Sequence, residues 1–369
     1  MIISLSGRCA PAGFGKEVHR MGWEEKVRRV VPYIPGEQPK QKGIIKLNTN
    51  ECPYPPSPLV KRKAAEFRTE ELRLYPDPEA ALLVKSLADY YGVREEQIFV
   101  GVGSDDVLAM SFLAFFNSDK PVLFPDITYS FYDVWAELFH IPYRCPALDE
   151  AFRLKKEDYL SENGGIIIPN PNAPTGIYEE LDTIEEIVAS NQDSVVIIDE
   201  AYVDFGGRSA MELVDKYENL LVVQTFSKSR AMAGIRIGFA AGSSKLIRYL
   251  KDVKFSFNSY TMNAPSIAWG AASILDDGYF KETVGKIINT RERVKKELSD
   301  LGFVFPDSSS NFIFASHKSV PASELFEALK QEGIYVRHFN KPRIDNYLRI
   351  TIGTDEEMDK LLAFLKRYL

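Results

Sequence analysis

The chain has 369 residues, of which 45% are hydrophobic and 26% charged, and its formal net charge is −7. This composition is typical of a globular protein with a sizeable core, and the length suits two domains. The acidic balance argues against nucleic acid or an anionic membrane as the main partner. No apolar run approaches the roughly 20 residues of a membrane span. Three scattered cysteines, without metal-ligand spacing, favour a reducing cytoplasm over a disulfide framework or zinc site.

The N-terminal part of the sequence gives two expectations. Residues 1–20 have neither a periodic apolar face nor a motif, and we interpret them as a poorly ordered extension. Residues 21–58 contain a proline-rich stretch, from Pro32 to Pro58, that cannot form regular helix. We expect 21–58 to be an extended arm that crosses the surface and joins the smaller domain.

From residue 59 onward, helical patterns alternate with short apolar runs. The segment 59–67 is typical of a helix, and apolar residues at i, i+3 and i+4 predict a second helix at 80–91. The apolar runs lie at 98–100, 122–124, 166–168, 195–198 and 220–223. Continuous apolar strands separated by helices predict an α/β domain over 59–258, with a mostly parallel sheet covered by helices on both faces.

The C-terminal section, 259–369, differs in pattern. A long amphipathic stretch at 266–301 is followed by short alternating segments, and 311–314 and 347–352 are typical of strands. These features predict a second, smaller α+β domain. The polar motifs, in contrast, follow the carboxyl ends of the apolar runs of the first domain. Open α/β sheets bind ligands at that edge, so we expect the motifs to converge on one crevice.

Two residues in these motifs indicate a particular cofactor. Lys228 stands where the run at 220–223 gives way to hydroxyl residues and a loop, and Asp199 ends the run at 195–198. A lysine can form a Schiff base with an aldehyde, and a buried carboxylate can hold a pyridine nitrogen protonated. These are the two groups that pyridoxal 5′-phosphate requires. The alternatives are a solvated lysine and a carboxylate that caps a turn.

Several motifs, taken in chain order, resemble those of the fold-type I aminotransferases, and within them the histidinol-phosphate aminotransferases. They are LNTNE at 47–51, DEAY at 199–202, TFSK at 225–228, GIRIGF at 234–239 and LRITIG at 348–353. The resemblance implies a pyridoxal-phosphate-dependent homodimer with shared active sites. It would exchange an amino group between L-histidinol phosphate and 2-oxoglutarate, giving glutamate, in histidine biosynthesis. An aromatic amino acid aminotransferase and a threonine-phosphate decarboxylase are alternatives on the same scaffold.

The resemblance also implies roles at the cofactor ring. Lys228 would bond the aldehyde and afterwards move a proton, and Asp199 would contact the pyridine nitrogen. Tyr202 would hydrogen-bond the phenolic oxygen, unless it is a core tyrosine. Tyr129 would stack on the ring, although neighbouring aromatic residues make a buried core position the competing interpretation.

A phosphate cradle is implied by three further segments. Ser104 and Asp105 follow a strand and open a helix, where backbone N–H groups bind anions; Ser104 is also a candidate N-cap. By resemblance, Ser227 and Arg236 complete the cradle, Arg236 with a forked contact. A surface ion pair is the alternative for Arg236. Tyr75 resembles the tyrosine that reaches the phosphate of the neighbouring subunit.

One motif departs from the pattern of the family. In NPNAPTG, at 170–176, Ala173 replaces the asparagine that bonds the phenolic oxygen, so whether Asn172 takes this role is open.

For the anionic end of the substrate the resemblance implies two arginines, Arg337 and Arg349, the second supported by Asn311. On sequence alone, the alternation of Arg349 with Leu348 and Ile350 favours an arginine that faces solvent. Tyr54 would line the pocket. The histidines show no metal-ligand spacing, so no metal is expected.

Overall fold

The computed structural model describes residues 23–34, 36–41 and 43–369. The predicted extension at 1–20 lies outside these residues. The chain divides into two compact units, 1–32 and 33–369. A short 3-10 helix at Trp23–Lys26 belongs to the first unit, and the strands and α-helices below belong to the second.

The strands fall into two groups separated by a helical region. In chain order they are β1 Ile45–Lys46, β2 Ile98–Gly101, β3 Val122–Leu123, β4 Tyr143–Arg144, β5 Gly165–Pro169, β6 Val196–Asp199, β7 Leu220–Thr225, β8 Gly238–Gly242, β9 Phe303–Val304, β10 Phe312–His317, β11 Ile334–Tyr335, β12 Arg337–His338 and β13 Leu348–Thr351.

The α-helices are α1 Pro58–Ala65, α2 Ala81–Tyr91, α3 Ser104–Phe115, α4 Tyr132–Phe139, α5 Leu181–Ser190, α6 Ser244–Phe257, α7 Ala264–Leu275, α8 Asp277–Asp300, α9 Ala322–Gln331 and α10 Asp355–Tyr368. Further 3-10 helices lie at Thr69–Arg73, Glu95–Gln97, Lys156–Tyr159, Val203–Phe205, Ala210–Leu213 and Ala233–Ile235. Within the described residues, no helix is both long and apolar enough to cross a membrane.

The larger sheet has seven strands in the order β2-β8-β7-β6-β5-β3-β4. Strands β3 to β7 run parallel, and β8 runs antiparallel to both of its neighbours, β7 and β2. The predicted α/β class with a mostly parallel sheet is therefore confirmed. Strand β8 lies outside the apolar runs used for that prediction, because its sequence GFAAG is poor in the β-branched residues that mark strands.

Helices cover both faces of this sheet, as the continuous apolar runs predict. Alternate residues of each central strand point to opposite faces. In β6, Ile198 packs into a core formed with α2, α5 and α7, whereas Ile197 packs into a core formed with α3, α4 and α6. All four residues of β6 are buried. The strand ends are therefore held between two rigid helical layers, which fixes the position of the side chains that follow them.

A smaller, four-stranded antiparallel sheet has the order β12-β13-β10-β9 and packs on α8, α9 and α10. The arm joins this region, because β1 pairs in parallel with β11 through Ile45 and Ile334. Leu47 and Asn50 are each 1% exposed. This part of the arm is therefore interior, whereas its proline pattern suggested a course across the surface. Proline restricts the backbone of the arm but does not decide its burial.

The amphipathic stretch predicted at 266–301 forms two helices, α7 and α8, rather than one. They meet at Asp276, whose carboxylate accepts a hydrogen bond from the backbone N–H of Leu59 at 3.1 Å. Ile267 of α7 packs into the core of the large sheet, and Ile287 of α8 packs into the core of the small sheet. By packing, α7 thus belongs with the large sheet, although it follows the boundary expected at 258.

Gly238 supports a prediction about stability. A Cβ atom at Gly238 would lie 2.2 Å from the backbone nitrogen of Ser104 and 2.3 Å from the carbonyl carbon of Gly103. Neither backbone atom can rotate away. We expect Gly238→Ala to lower the free energy of unfolding by about 3 kcal/mol or more, as an overpacked core does. Urea denaturation followed by circular dichroism measures the change.

Gly285 provides the matched control, because it lies inside α8 and no atom would meet its Cβ within 4 Å. Gly285→Ala should stabilise the protein by about 0.5–1 kcal/mol, since alanine is the better helix former. If Gly238→Ala unfolds at the same urea concentration as the wild type, β8 does not approach the start of α3 this closely.

Candidate active site

The polar motifs meet where strands β5, β6 and β7 end. Pro169 at the end of β5 is in register with Asp199 at the end of β6, and Thr225 at the end of β7 is opposite Gly238, where β8 begins. A cavity of about 190 Å³ lies at this edge. Eight of the predicted residues line it: Ser104, Asp105, Tyr129, Asp199, Tyr202, Ser227, Lys228 and Arg236.

Lys228 projects into this cavity just after β7. Its Nζ donates a hydrogen bond to the carbonyl oxygen of Thr49 at 3.0 Å and lies 5.9 Å from the centre of the Tyr202 ring. Glu51 also lines the cavity. Burial opposes the ionisation of Glu51, but hydrogen bonds from Lys46 and Thr49 and the charge of Lys228 outweigh it and lower the pKa of this carboxyl. The amine is therefore bound to a backbone carbonyl and interacts electrostatically with the Glu51 carboxylate, whose ion pair is with Lys46.

Asp199 is a buried carboxylate held by two hydrogen-bond donors, neither of them a cation. Its Oδ2 accepts a hydrogen bond from the Tyr132 hydroxyl at 2.7 Å, and its Oδ1 accepts one from the backbone N–H of Ala201 at 3.3 Å. Burial raises the pKa of Asp199 to about 6, although both hydrogen bonds act in the opposite direction. Among the described residues, no lysine or arginine forms an ion pair with it. A protonated ring nitrogen would supply the missing positive charge.

The N-terminus of α3 forms the opposite wall of the cavity. Its N-cap is Gly103, which has no side chain to cap the first turn, and Ser104 is the first helical residue instead of the cap. The positive end of the helix is therefore open to an anion. Arg236 Nη2 lies 3.1 Å from Asp105 Oδ2, and its Nη1 donates to the Ser227 hydroxyl at 3.4 Å. The helix N-terminus, Ser227 and Arg236 offer donors for a phosphate, although Arg236 already forms an ion pair with Asp105, the alternative considered for it.

The structure separates the aromatic residues of the segment that contains Tyr129. The Tyr129 ring lines the cavity, and its hydroxyl donates to Asp105 Oδ1 at 2.8 Å. Tyr132 is completely buried behind Asp199, and Phe131 stacks on Tyr33 with ring centres 4.2 Å apart. Tyr129 alone of these three neighbours therefore faces the cavity in a position to contact a ring.

Tyr202 connects the cavity with the arm. Its hydroxyl accepts a hydrogen bond from Asn50 Nδ2 at 2.9 Å, and its ring packs edge-on against Phe312. The Asn50 carbonyl in turn accepts from Asn311 Nδ2 at 3.0 Å. Asn50 adopts a left-handed backbone conformation, with φ of 56°. The arm and the small sheet thus hold Tyr202 from the side opposite to β6.

Six predicted residues do not line this cavity: Asn311 contacts Asn50 and not Arg349 as expected, Arg337 and Arg349 lie in a second cavity, and the other three lie elsewhere. The side-chain amide of Asn172 donates to the Ile127 carbonyl at 3.0 Å and to the Thr175 hydroxyl at 3.1 Å, and Ala173 lines the cavity in its place. Tyr54 packs at the edge of the small-sheet core. Tyr75 is 83% exposed and packs on Tyr260, with ring centres 4.7 Å apart.

A second cavity, of about 180 Å³, adjoins the first and shares Tyr129, Tyr202 and Lys228 with it. Arg337 and Arg349 lie in this second cavity. They are direct partners on neighbouring antiparallel strands, β12 and β13. Like charges placed opposite each other across two strands repel, so this pair is unfavourable unless an anion lies against it.

Neither of these arginines forms an ion pair with a carboxylate of the described chain. Arg349 Nη2 donates to the Asn48 carbonyl at 3.2 Å, whereas its Nε is buried without a hydrogen-bond partner. Burial and the charge of Arg337 lower the pKa of Arg349. Its guanidinium also lies 5.3 Å from the Phe312 ring centre. The unpaired donor and the doubled positive charge define an anion site next to Lys228.

Several residues of the two cavities carry no clear signal in the sequence. Tyr33 lies in the proline-rich arm, outside every motif, and lines the cavity that contains the arginine pair, whereas Thr49, which lines the same cavity, belongs to the LNTNE motif but was given no role of its own. Tyr132 was visible only as one more aromatic residue beside Tyr129. No group of histidine, cysteine and acidic residues within the described ranges could hold a metal ion.

Comparison with known proteins agrees with this geometry. Residues 42–365 match the family model described as aminotransferase class I and II. The chain belongs to the class I and II aminotransferases.

Among its relatives is the histidinol-phosphate aminotransferase of Lactococcus lactis subsp. cremoris, which is 53% identical over 349 residues and is matched over 95% of this chain and 98% of its own length.

Solved structures show the same fold at lower sequence identity. The histidinol-phosphate aminotransferase of Clostridium acetobutylicum has a TM-score of 0.81 and 23% identity, with 88% of this chain and 99% of that chain covered. The histidinol-phosphate aminotransferase of Sinorhizobium meliloti, solved in complex with pyridoxal 5′-phosphate, has a TM-score of 0.78 and 22% identity, with 88% and 92% covered.

The burial of Asp199 leads to a prediction for the protein without cofactor. Its pKa of about 6 lies above the ordinary value of 3.8, so the protonated carboxyl stabilises the fold. This stabilisation is complete below about pH 4 and is lost as the pH rises through 6. Asp199→Asn removes the loss, which amounts to roughly 3 kcal/mol for two pKa units.

Urea denaturation of cofactor-free protein at several pH values between 4 and 7.5 measures the effect. The unfolding free energy of the wild type should fall more steeply with pH than that of Asp199→Asn. The exposed Asp193 supplies the control, since Asp193→Asn makes the same change of charge at the surface. If the unfolding free energies of the wild type and Asp199→Asn change with pH in parallel, ionisation of Asp199 does not destabilise the fold.

Proposed function

We propose that this protein is a pyridoxal-phosphate-dependent aminotransferase that exchanges an amino group between L-histidinol phosphate and 2-oxoglutarate. Family membership and the activity named for the Lactococcus relative support the proposal. The observation that carries it is the cross-strand pair Arg337–Arg349, which forms no ion pair with any acidic residue that the structure describes and lines a cavity together with Lys228. A pair of cations beside the reactive amine suits a substrate with a strongly anionic tail.

The residues of the first cavity fit the proposed cofactor. The Lys228 amine would meet the aldehyde, and the carboxylate of Asp199 would meet the ring nitrogen. The open N-terminus of α3, with Ser227 and Arg236, offers donors for the phosphate. When bound, the cofactor draws electrons from the substrate Cα and so makes its proton acidic.

The chain itself would perform the proton transfers and the orientation. The Lys228 amine would act as the general base that accepts and moves the proton of the substrate Cα. Its hydrogen bond to the Thr49 carbonyl holds the amine in the cavity while it is free. Asp199 keeps the ring nitrogen protonated, because a buried carboxylate favours a positive partner. Tyr202, oriented by Asn50, donates to the phenolic oxygen, whereas the contacts of Asn172 point elsewhere.

Substrate recognition follows from the arginine pair. Guanidinium groups match phosphate and carboxylate oxygens with forked hydrogen bonds. Arg337 and Arg349 would therefore hold the phosphate of histidinol phosphate in one half-reaction and the distal carboxylate of 2-oxoglutarate in the other. Asn48 supports Arg349 through its carbonyl, and Asn311 supports the neighbouring Asn50.

The expected effect of Arg337→Ala tests this function. Loss of one charge-assisted contact should reduce kcat/KM for histidinol phosphate by about 10-fold to 100-fold. The values for phenylalanine and tyrosine should change much less, because these donors carry no phosphate. Steady-state kinetics of each donor with 2-oxoglutarate provides the comparison, and Lys341→Ala, which removes an exposed cation nearby in the chain, serves as the control.

Three outcomes would sink this assignment. A wild-type preference for an aromatic amino acid would make the protein an aromatic aminotransferase. Release of carbon dioxide from threonine phosphate would make it a decarboxylase. An equal loss for all donors in Arg337→Ala would remove the phosphate-binding role of this residue.

We also propose a homodimer in which Tyr75 serves the partner's active site. Tyr75 lies among exposed apolar side chains, with Leu72 at 58% and Leu74 at 57% exposed, and it packs on Tyr260. An apolar patch around an exposed tyrosine favours a protein partner, and a second copy of the chain would bring the Tyr75 hydroxyl to the partner's phosphate cradle.

Mixing two inactive variants tests the shared site. Tyr75→Ala removes the residue that a subunit contributes to its partner's site, and Lys228→Ala removes the reactive lysine of the subunit's own site. A mixed dimer therefore contains one site in which both residues are intact. Refolding the two together should restore up to about a quarter of wild-type activity per subunit, as expected for random pairing of subunits. Analytical ultracentrifugation checks the association. Activity no higher than the sum of the separate variants would argue that Tyr75 works in its own subunit or not at all.

A further inference from the structure

The two residues that follow Lys228 point away from the cavity. Ser229 is 3% exposed and Arg230 is 7% exposed. Both lie in a tight turn in which the N–H of Ala231 donates to the Lys228 carbonyl at 3.3 Å and the N–H of Met232 donates to the Phe226 carbonyl at 3.0 Å. The position of the Lys228 backbone therefore depends on what holds this turn.

Ser229 is held by an acidic residue on a neighbouring loop. Its hydroxyl donates to Asp204 Oδ2 at 2.5 Å. Asp204 lies in the 3-10 helix Val203–Phe205, directly after Tyr202. The next residue, Phe205, is completely buried in the core of the small sheet. One short loop thus carries Tyr202 into the cavity, anchors the Lys228 turn through Asp204, and is itself fixed by Phe205.

Arg230 fixes the same turn at a second point. Its Nη1 donates to the Ser273 carbonyl at 3.0 Å, in the last turn of α7, and its guanidinium lies 4.1 Å from the Phe280 ring centre, in the first turn of α8. Burial raises the pKa of Asp204, and the positive charge of Arg230 acts in the opposite direction. The turn is therefore tied to the place where the two hydrophobic cores meet.

We propose that Asp204, acting through the Ser229 hydroxyl, is a positioning residue that keeps the Lys228 amine directed at the cofactor aldehyde. This inference rests on the proposed function, in which Lys228 bonds that aldehyde. The lysine side chain is a flexible four-carbon stem, so its amine is confined only if its backbone is held. The Thr49 carbonyl restrains the tip of the side chain, and the Ser229–Asp204 bond restrains its base.

The test compares Ser229→Ala with Ser229→Thr, which keeps a hydroxyl. Each cofactor-free protein is mixed with pyridoxal 5′-phosphate, and borohydride trapping with mass spectrometry gives the rate of attachment to Lys228. Loss of a hydrogen bond to a charged group should slow attachment in Ser229→Ala by about tenfold or more. Ser229→Thr should restore the rate. Ser111→Ala, which removes an equally buried hydroxyl bonded only within α3, should leave it unchanged.

A second ligand separates positioning from a general loss of binding. Pyridoxamine 5′-phosphate has no aldehyde and cannot bond to lysine, so its affinity reports only the phosphate and ring contacts. Its Kd, measured by fluorescence quenching, should change by less than about threefold in Ser229→Ala, because Ser104, Asp199 and Arg236 do not contact Ser229. Attachment at the wild-type rate, or an equal loss of attachment and of this affinity, overturns the proposal.

Failure of the proposed function gives a different result. If the wild type attaches the cofactor to another lysine or to none, the function assigned to Lys228 is wrong. Hydrogen–deuterium exchange of the cofactor-free protein then decides the anchoring by itself. Faster exchange over 226–232 in Ser229→Ala, restored in Ser229→Thr, supports the anchor, and unchanged exchange overturns it.

Discussion

The active site depends on the register between four neighbouring strands of the large sheet. Backbone hydrogen bonds place Pro169 beside Asp199, Asp199 beside Val223, and Thr225 beside Gly238. Because the strands are buried between two helical layers, this register cannot slip without turning apolar side chains to the wrong face. Every polar residue that follows a strand end is therefore delivered to the same crevice. The antiparallel β8 then lets the start of α3 approach closely, since Gly238 has no side chain in the way.

Within that frame, several charges of the candidate site have no counter-charge among the described residues. A carboxylate, Asp199, lines the first cavity and accepts hydrogen bonds from two neutral donors. Two arginines, Arg337 and Arg349, face each other across strands at the second cavity. Each arrangement is unfavourable alone, because a buried carboxylate without a counter-charge is destabilising and like charges opposite each other on neighbouring strands repel. A cationic ring and an anionic substrate would relieve both, so part of the stability of the fold is given up for binding.

Sequence patterns were sufficient where a local rule decides the outcome. Apolar runs ending in polar residues located Asp199 and Lys228, because strand ends in such sheets must converge. The same rules could not place Tyr33 or the interior course of the arm, which depend on what packs over them. They also missed β8, whose glycine and alanine residues give no strand signal. The roles of Asn172 and Ser229 depend on which way a side chain turns, and only the packed structure shows this.

The pairing of the arm has a consequence for how the protein is made. The backbone N–H of Asn50 donates a hydrogen bond to the hydroxyl of Thr351, 301 positions later in the sequence, and β1 pairs with the distant strand β11. The large sheet, by contrast, is complete once Gly242 has been synthesised. During translation the strands behind the cofactor cradle can assemble early, whereas the arm waits for its partner strands. A nascent chain therefore contains the strands behind the candidate cradle long before Arg337 and Arg349 are synthesised, so the cavity that contains these two arginines forms later than the first cavity.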